Sequence, residues 1–254
     1  MGVIAVFNQK GGVGKTTTAL NLLATIAQRG HRPLGVDLDP QAHLTHIFGL
    51  QPRLAEDSIY SFFVRGRPLL EVALITRSGV ALCPAHLELA KIDSLLGKSF
   101  NIVTKLRTAL HDRKAPTGPV IIDCCPLLNV LSLNAIFACD VLLVPVSCDF
   151  LSLRGALQVE RALNALEPVF KQRLPRRYVI TRFDMRRKMS AEVVDAMAKS
   201  FRQEEVCVTR IRENVKLAES PAEGLDVFRH APDSRGAHDY TSLLEELVGA
   251  GFLR

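Results

Sequence analysis

Short apolar, β-branched runs recur along the chain at residues 3–7, 34–36, 80–82, 120–122, 141–146, 178–180 and 206–208, separated by polar or glycine-rich sequence. Runs that are apolar at successive positions, rather than alternate ones, predict strands buried on both faces. Between the first two runs the spacing changes. In TTTALNLLATIAQRG, Leu20, Leu23, Ala24 and Ala27 share a helical face, and Gly30 offers a C-terminal cap. Further helices are predicted over 87–96, 102–111, 153–166, 191–201 and 240–248. This alternation predicts an α/β fold with a mostly parallel twisted sheet flanked by helices on both faces. No internal repeat and no Pro/Gly/Ser-rich linker interrupts the 254 residues, so a single domain over 1–254 is expected.

Composition narrows the class. A hydrophobic content of 48% supports an extensive core without staples. The longest apolar runs fall well short of the roughly 20 residues that a membrane span needs. Residues 3–7 lead into a glycine loop instead of a secretory pattern, so a soluble, cytoplasmic protein is expected. Cys83, Cys124, Cys125, Cys139, Cys148 and Cys207 show no C-x-x-C spacing and read as reduced core thiols, not as a disulfide or metal framework. The net charge of +6 is unevenly placed. Eight Lys/Arg and one Asp between Lys171 and Lys188 account for more than all of it, so the protein is basic locally and not globally.

The densest chemistry lies in QKGGVGKTTT, residues 9–18. The ordinary phosphate-loop pattern G-x-x-x-x-G-K-[ST] asks for glycine where Gln9 stands, and a second lysine, Lys10, follows it. The loop follows a strand and opens a helix, the order a P-loop NTPase requires. Gly11, Gly12, Val13 and Gly14 can turn backbone N–H groups toward phosphate oxygens at the positive end of that helix. Lys15 would then reach the β- and γ-phosphates of a nucleoside triphosphate, the Thr16 hydroxyl would ligate Mg²⁺, and Thr17 would bond the α-phosphate. Such a loop needs carboxylates from neighbouring strand ends. VIIDCCP puts Asp123 at one such end as a candidate for the Mg²⁺ shell. VDLDPQ puts Asp37 and Asp39 at another, Asp37 nearer the metal and Asp39 toward the γ-phosphate.

These residues resemble the ParA/MinD family of ATPases, whose deviant phosphate loop reads K-G-G-x-G-K-[ST]; Lys10 to Thr16 match it without a gap. VDLDPQAHLTHIFGL, VIIDCCPLLNVLSLNAIFACD, VLLVPVSCDFLSLRG and RENVKLAESPAEGLDVFRHAPDSRGAHDY resemble family blocks in the correct order. The resemblance implies an ATP-sandwiched homodimer. In it Lys10 crosses to the phosphates of the other subunit, while Asp39 positions the hydrolytic water; catalysis then rests on Lys10, Lys15 and Asp39. It places Asn214 and Pro221 near adenine. The family motif D-C-P-P appears here as DCCP, with Cys125 in place of a proline that would stiffen the loop.

The resemblance also gives the basic segment a role. PRRYVITRFDMRRKMS carries Arg176, Arg177, Arg182, Arg186, Arg187 and Lys188, and Arg210, Arg212 and Lys216 follow. Read alone, this is a solvated basic face; in the family such residues bind DNA nonspecifically in the ATP dimer. Arg182, Arg186, Arg187, Lys188, Arg212 and Lys216 are the candidates, with Glu213 where arginine is more usual. The implied function is positioning of a cargo on the nucleoid, with a cargo-bound partner protein stimulating hydrolysis. The alternatives are a MinD-like membrane regulator, an iron–sulfur or redox ATPase, and a sequence-specific repressor. The first wants a cationic amphipathic tail, whereas YTSLLEELVGAGFLR offers only Arg254. The second wants differently placed cysteines, and the third an N-terminal helix-turn-helix, for which the loop begins too early.

Overall fold

The computed structural model describes residues 2–97, 100–112 and 116–253. Its centre is an eight-stranded sheet of β1 (Val3–Val6), β2 (Leu34–Asp37), β3 (Leu74–Ile75), β4 (Ala81–Cys83), β5 (Val120–Asp123), β6 (Val141–Ser147), β7 (Arg176–Phe183) and β8 (Val206–Arg212), in the spatial order β3-β4-β2-β5-β1-β6-β7-β8. Every pairing is parallel except that of β3 with β4. β3 was not predicted: of the apolar stretch 72–75 only Leu74 and Ile75 pair as strand, both exposed, while Val72 ends a short helix.

Alternate residues of the inner strands feed opposite layers. Ile4 and Val6 join Leu20, Leu22 and Leu23 of the helix Lys15–Gln28, together with Tyr240, Leu243 and Leu247 of the helix Arg235–Gly249. Val3, Ala5 and Phe7 join the opposite layer, built from the helices Ile59–Arg65, Lys105–Leu110, Val130–Ala138, Phe150–Phe170 and Lys188–Ser200. Burial on both faces explains the unbroken apolar runs. Predicted helix 87–96 is a 3₁₀ turn, Leu87–Lys91, followed by Ile92–Leu96; predicted helix 102–111 is split into Phe100–Val103 and Lys105–Leu110. Helix Val130–Ala138 went unpredicted because eight of its nine residues are buried, so no polar face marks a helical period.

Parallel pairing brings the carboxyl ends of β1, β2, β5, β6 and β7 to one rim. Val6 stands beside Asp123, Asp123 beside Asp37, and Ser147 beside Thr181. At the opposite flank of the sheet β8 is irregular against β7, and the Glu246 carboxylate accepts from the Val208 and Thr209 N–H groups at 2.8 and 2.9 Å.

Candidate nucleotide-binding site

The glycine loop leaves β1 and ends on Gly14, which caps the helix Lys15–Gln28 in a left-handed conformation, φ 89°. Gly12 is also left-handed, φ 77°, and a Cβ added at Gly11 or Gly12 would meet nothing within 4 Å. The loop is therefore an open cradle whose curvature needs glycine. Two contacts missed by sequence reasoning fix it from behind. Thr181 at the end of β7 donates to the Val13 carbonyl at 2.9 Å, and buried Asn8 accepts from the Lys10 N–H at 3.0 Å while its amide donates to Pro145 O at 2.7 Å. Lys15, nearly buried, donates from Nζ to the Lys10 carbonyl at 2.9 Å. Burial lowers its pKa, against the pull of Asp123. Thr16 and Thr17 occupy the first turn of the helix.

The three candidate aspartates differ in what they already hold. Asp37 accepts from Thr45 N at 2.9 Å and Thr45 Oγ1 at 2.6 Å on one oxygen, and from Asp39 N at 3.1 Å on the other. Burial still raises its pKa to about 6, with the Thr45 hydrogen bonds opposing. In this arrangement Asp37 shapes the loop that carries Asp39 while standing beside Asp123 in the sheet register. Asp39 accepts from Gln41 N at 2.9 Å. Asp123 is fully buried, and among the described residues neither of its oxygens has a hydrogen-bond partner. Burial, then the charge of Asp37, hold its pKa well above the carboxylate range, while the Thr16 hydroxyl favours the ionised form. An orphaned carboxyl beside a threonine hydroxyl is the donor set that a hard, oxygen-seeking Mg²⁺ fits.

Cys125 is buried where the family has proline, and its thiol sits 3.7 Å from Asn129 Oδ1 and 3.8 Å from Leu127 O. Asn129 in turn caps the helix Val130–Ala138, with Ser132 closing the capping box. The loop between them exposes Leu127 and Leu128.

Lys10 points to its own subunit. Its Nζ donates to Asp149 Oδ1 at 2.7 Å, the two side chains being 30% and 43% exposed. Asp149 caps the helix Phe150–Phe170, and Ser147 and Ser152 donate to its other oxygen at 2.6 and 2.7 Å. Burial would raise its pKa, but the hydrogen bonds from Lys10, Ser147 and Ser152 outweigh that and hold it below the usual range. Gly155 permits the approach: a Cβ there would lie 3.0 Å from Asn8 Oδ1 and 3.3 Å from Lys10 Cβ.

Beside the loop lies a cleft of about 170 Å³ with Gly12, Gly14 and Thr17 on one side and Arg182, Glu213 and Asn214 on another. Asn214 lines it; Pro221 does not, so only one of the two residues expected near a base reaches this space. Arg182 pairs with Glu213 at 3.2 Å across its mouth.

The basic segment is not one face. Arg176 is fully buried, bonded to Glu167 and, at 2.8 Å, to Glu160; Arg173 pairs with Glu205 at 2.7 Å. Arg176 belongs to the core beneath β7, with Arg173 half-buried beside it on the same glutamates. Arg186 and Lys188, with side chains 89% and 92% exposed, form a surface turn with Arg187, folded back on Asp184 and Glu192. Arg212 is held bidentately by Asp239, and Lys216 pairs with Glu219 at 2.9 Å.

A family model described as "AAA domain" matches residues 1–175. The chain is 34% identical over 251 residues to the sporulation initiation inhibitor protein Soj of Bacillus subtilis, covering 98% of this chain and 99% of that one. It is 37% identical over 248 residues to the chromosome-partitioning ATPase Soj of Thermus thermophilus, covering 96% and 94%. Among solved structures, the cobyrinic acid a,c-diamide synthase of Mycobacterium smegmatis with bound ATP analog and magnesium superposes with a TM-score of 0.82 at 29% identity, covering 98% of this chain and 94% of that one. The ATP complex of a Cyanothece McdA variant superposes with a TM-score of 0.86 at 20% identity, covering 98% and 96%, and bears on the fold.

Proposed function

The chain belongs to the ParA/MinD family of ATPases, and from that premise we propose that it is a positioning ATPase whose ATP-bound homodimer binds DNA without sequence preference and carries or places a cargo on the nucleoid. A cargo-bound partner protein stimulates its slow hydrolysis and so releases it. The observation that carries this reading is Lys10, presented at the rim of the phosphate loop and followed around that rim by exposed Phe150 and Leu151. A cation and an apolar surface beside an open cradle suit pairing of two copies face to face.

The chain's own residues take these parts. Gly11 to Gly14 and Lys15 bind the triphosphate, Thr16 and Asp123 hold Mg²⁺, and Asp37 keeps the Asp39 loop in place. Mg²⁺, when bound, offsets phosphate charge. Asp39 orients the attacking water, and Lys10 of the second copy adds a cation as phosphoryl charge redistributes, as an arginine finger does. Arg186, Arg187, Lys188, Arg212 and Lys216 supply the DNA contacts.

Two observations weigh against the alternatives. Tyr240, Leu243, Leu244 and Leu247 turn the apolar face of the last helix into the core, away from any bilayer, and no helix among the described residues is long and apolar enough to cross a membrane; Arg254 lies outside the described residues. Cys124, Cys125 and Cys139, the thiols an iron–sulfur role would need, are buried. The test is DNA co-sedimentation of wild type and Asp39→Ala with ATP or ADP across a salt series. ATP-dependent binding that collapses with salt supports the proposal; equal binding with ATP and ADP, or none at low salt, overturns it.

A further inference from the structure

Arg182 is the residue whose position the DNA-binding reading explains least. It follows Thr181, which is fixed to the phosphate loop through Val13, and among the described residues it is one of three non-glycine residues with positive φ, at 52°. Its side chain lines the cleft, where it meets Glu213. Glu213 is itself held in place, its N–H donating to Phe183 O at 2.9 Å. A left-handed arginine between two anchored segments is an unfavourable arrangement that needs a reason.

The cleft supplies one. Its inner wall carries Ile211, Leu217 and Ala218, apolar surface suited to the face of a flat ring, and its other end opens on Gly12 and Gly14. The triphosphate already has Lys15 and the loop amides. A guanidinium at the mouth, tethered by one Nε–H bond to the Glu213 carboxylate at 3.2 Å, is left to cover the opposite face of a base. We infer that Arg182 is a nucleotide-binding residue, its guanidinium stacking on the adenine of ATP, with Glu213 as the positioning residue that sets its plane. This rests on the phosphate loop being an ATP site, and it moves Arg182 out of the DNA surface.

The test compares wild type with Arg182→Met, Arg182→Lys and Glu213→Gln, all checked for an unchanged thermal transition. Affinity for a fluorescent ATP analogue is measured by titration, affinity for inorganic triphosphate by competition, and DNA affinity at saturating ATP. Both Arg182 variants are expected to lose about tenfold in ATP affinity, lysine failing because it has charge without a plane, while Glu213→Gln loses less. Triphosphate and DNA affinity stay at wild-type levels. Wild-type ATP affinity in Arg182→Met overturns the inference, as does normal ATP affinity in Arg182→Lys or a loss of DNA binding at saturating ATP. If wild type itself binds neither ATP nor triphosphate, the phosphate-loop reading fails first.

Discussion

Lys10 and Asp149, 139 positions apart, form a 2.7 Å ion pair within one subunit. In the proposed dimer this lysine is parked at home before pairing begins, and assembly would exchange Asp149 for phosphate. With both side chains partly exposed, the pair is worth about 0–1 kcal/mol after solvent screening. Asp149→Asn, which keeps the helix cap, is expected to form ATP dimers at up to about thirtyfold lower protein concentration, because each dimer breaks two such pairs. Lys10→Ala is expected to bind ATP and stay monomeric. Light scattering with and without ATP checks both; ATP dimers in Lys10→Ala would sink the trans role.

Asp123 and Asp37 make nucleotide-free stability fall as pH rises. Their folded pKa values lie above those of the unfolded chain, so between about pH 4 and the folded values the native state holds more protons. Raising pH through that window removes stability, the Asp37 part reaching its full loss above about pH 6. Asp123→Asn removes one contribution. It is expected to melt higher than wild type at pH 8, by about 2–4 °C for each kcal/mol regained, with little difference at pH 5 and with Mg²⁺-dependent nucleotide affinity lost. A melting series from pH 5 to 8 reads this directly; a wild-type stability that climbs over the range would contradict it.

Replacing Gly155 by Val should disturb the phosphate loop from behind. The new side chain drives against Asn8 and Lys10, a packing conflict costing about 1–3 kcal/mol. Because Asn8 also holds the Lys10 backbone, ATP affinity is expected to fall along with thermal stability. Normal affinity in a folded Gly155→Val protein would show that the loop does not depend on this contact.

The exposed turn predicts a salt signature. Replacing Arg186, Arg187 and Lys188 together by Ala should lower the slope of log affinity for DNA against log salt by up to about 0.9 for each phosphate contact removed. Replacing Arg176, buried among glutamates, should instead unfold or destabilise the protein. Equal salt slopes in the triple variant and wild type would place DNA contact elsewhere.

Thiol chemistry offers a simple check on the core. Burial raises the thiols of Cys83 and Cys139 to about 12, and Cys125 is raised too; only Cys148 is half-buried. In native protein at pH 7.5, at most one of the six thiols is expected to react quickly with an aromatic disulfide reagent, and all six after denaturation. Rapid reaction of two or more would show that the loop around Cys125 opens readily.

What the sequence revealed follows from what is local. The loop, its helix and the strand-end aspartates are contiguous patterns, and parallel pairing then carried Asp37 and Asp123 together. Asp149 stood in none of the candidate sites, because nothing in the chain ties it to Lys10. The Thr181 bond to Val13 crosses 168 positions and leaves no local mark. Charge misled most: Arg176 and Arg186 are alike in sequence, but glutamates on the helix Phe150–Phe170 draw only the first inside.

The two flanks of the sheet set a rule for assembly. Glu246 occupies backbone donors in irregular β8, where an added strand would seek partners, and β3 at the far flank is two residues long. Neither border offers a template for lengthwise polymerisation by backbone pairing. An added strand would have to displace Glu246 at one border and would find two residues at the other, which suits the proposed closed pairing through the Lys10 rim better than growth as a ribbon.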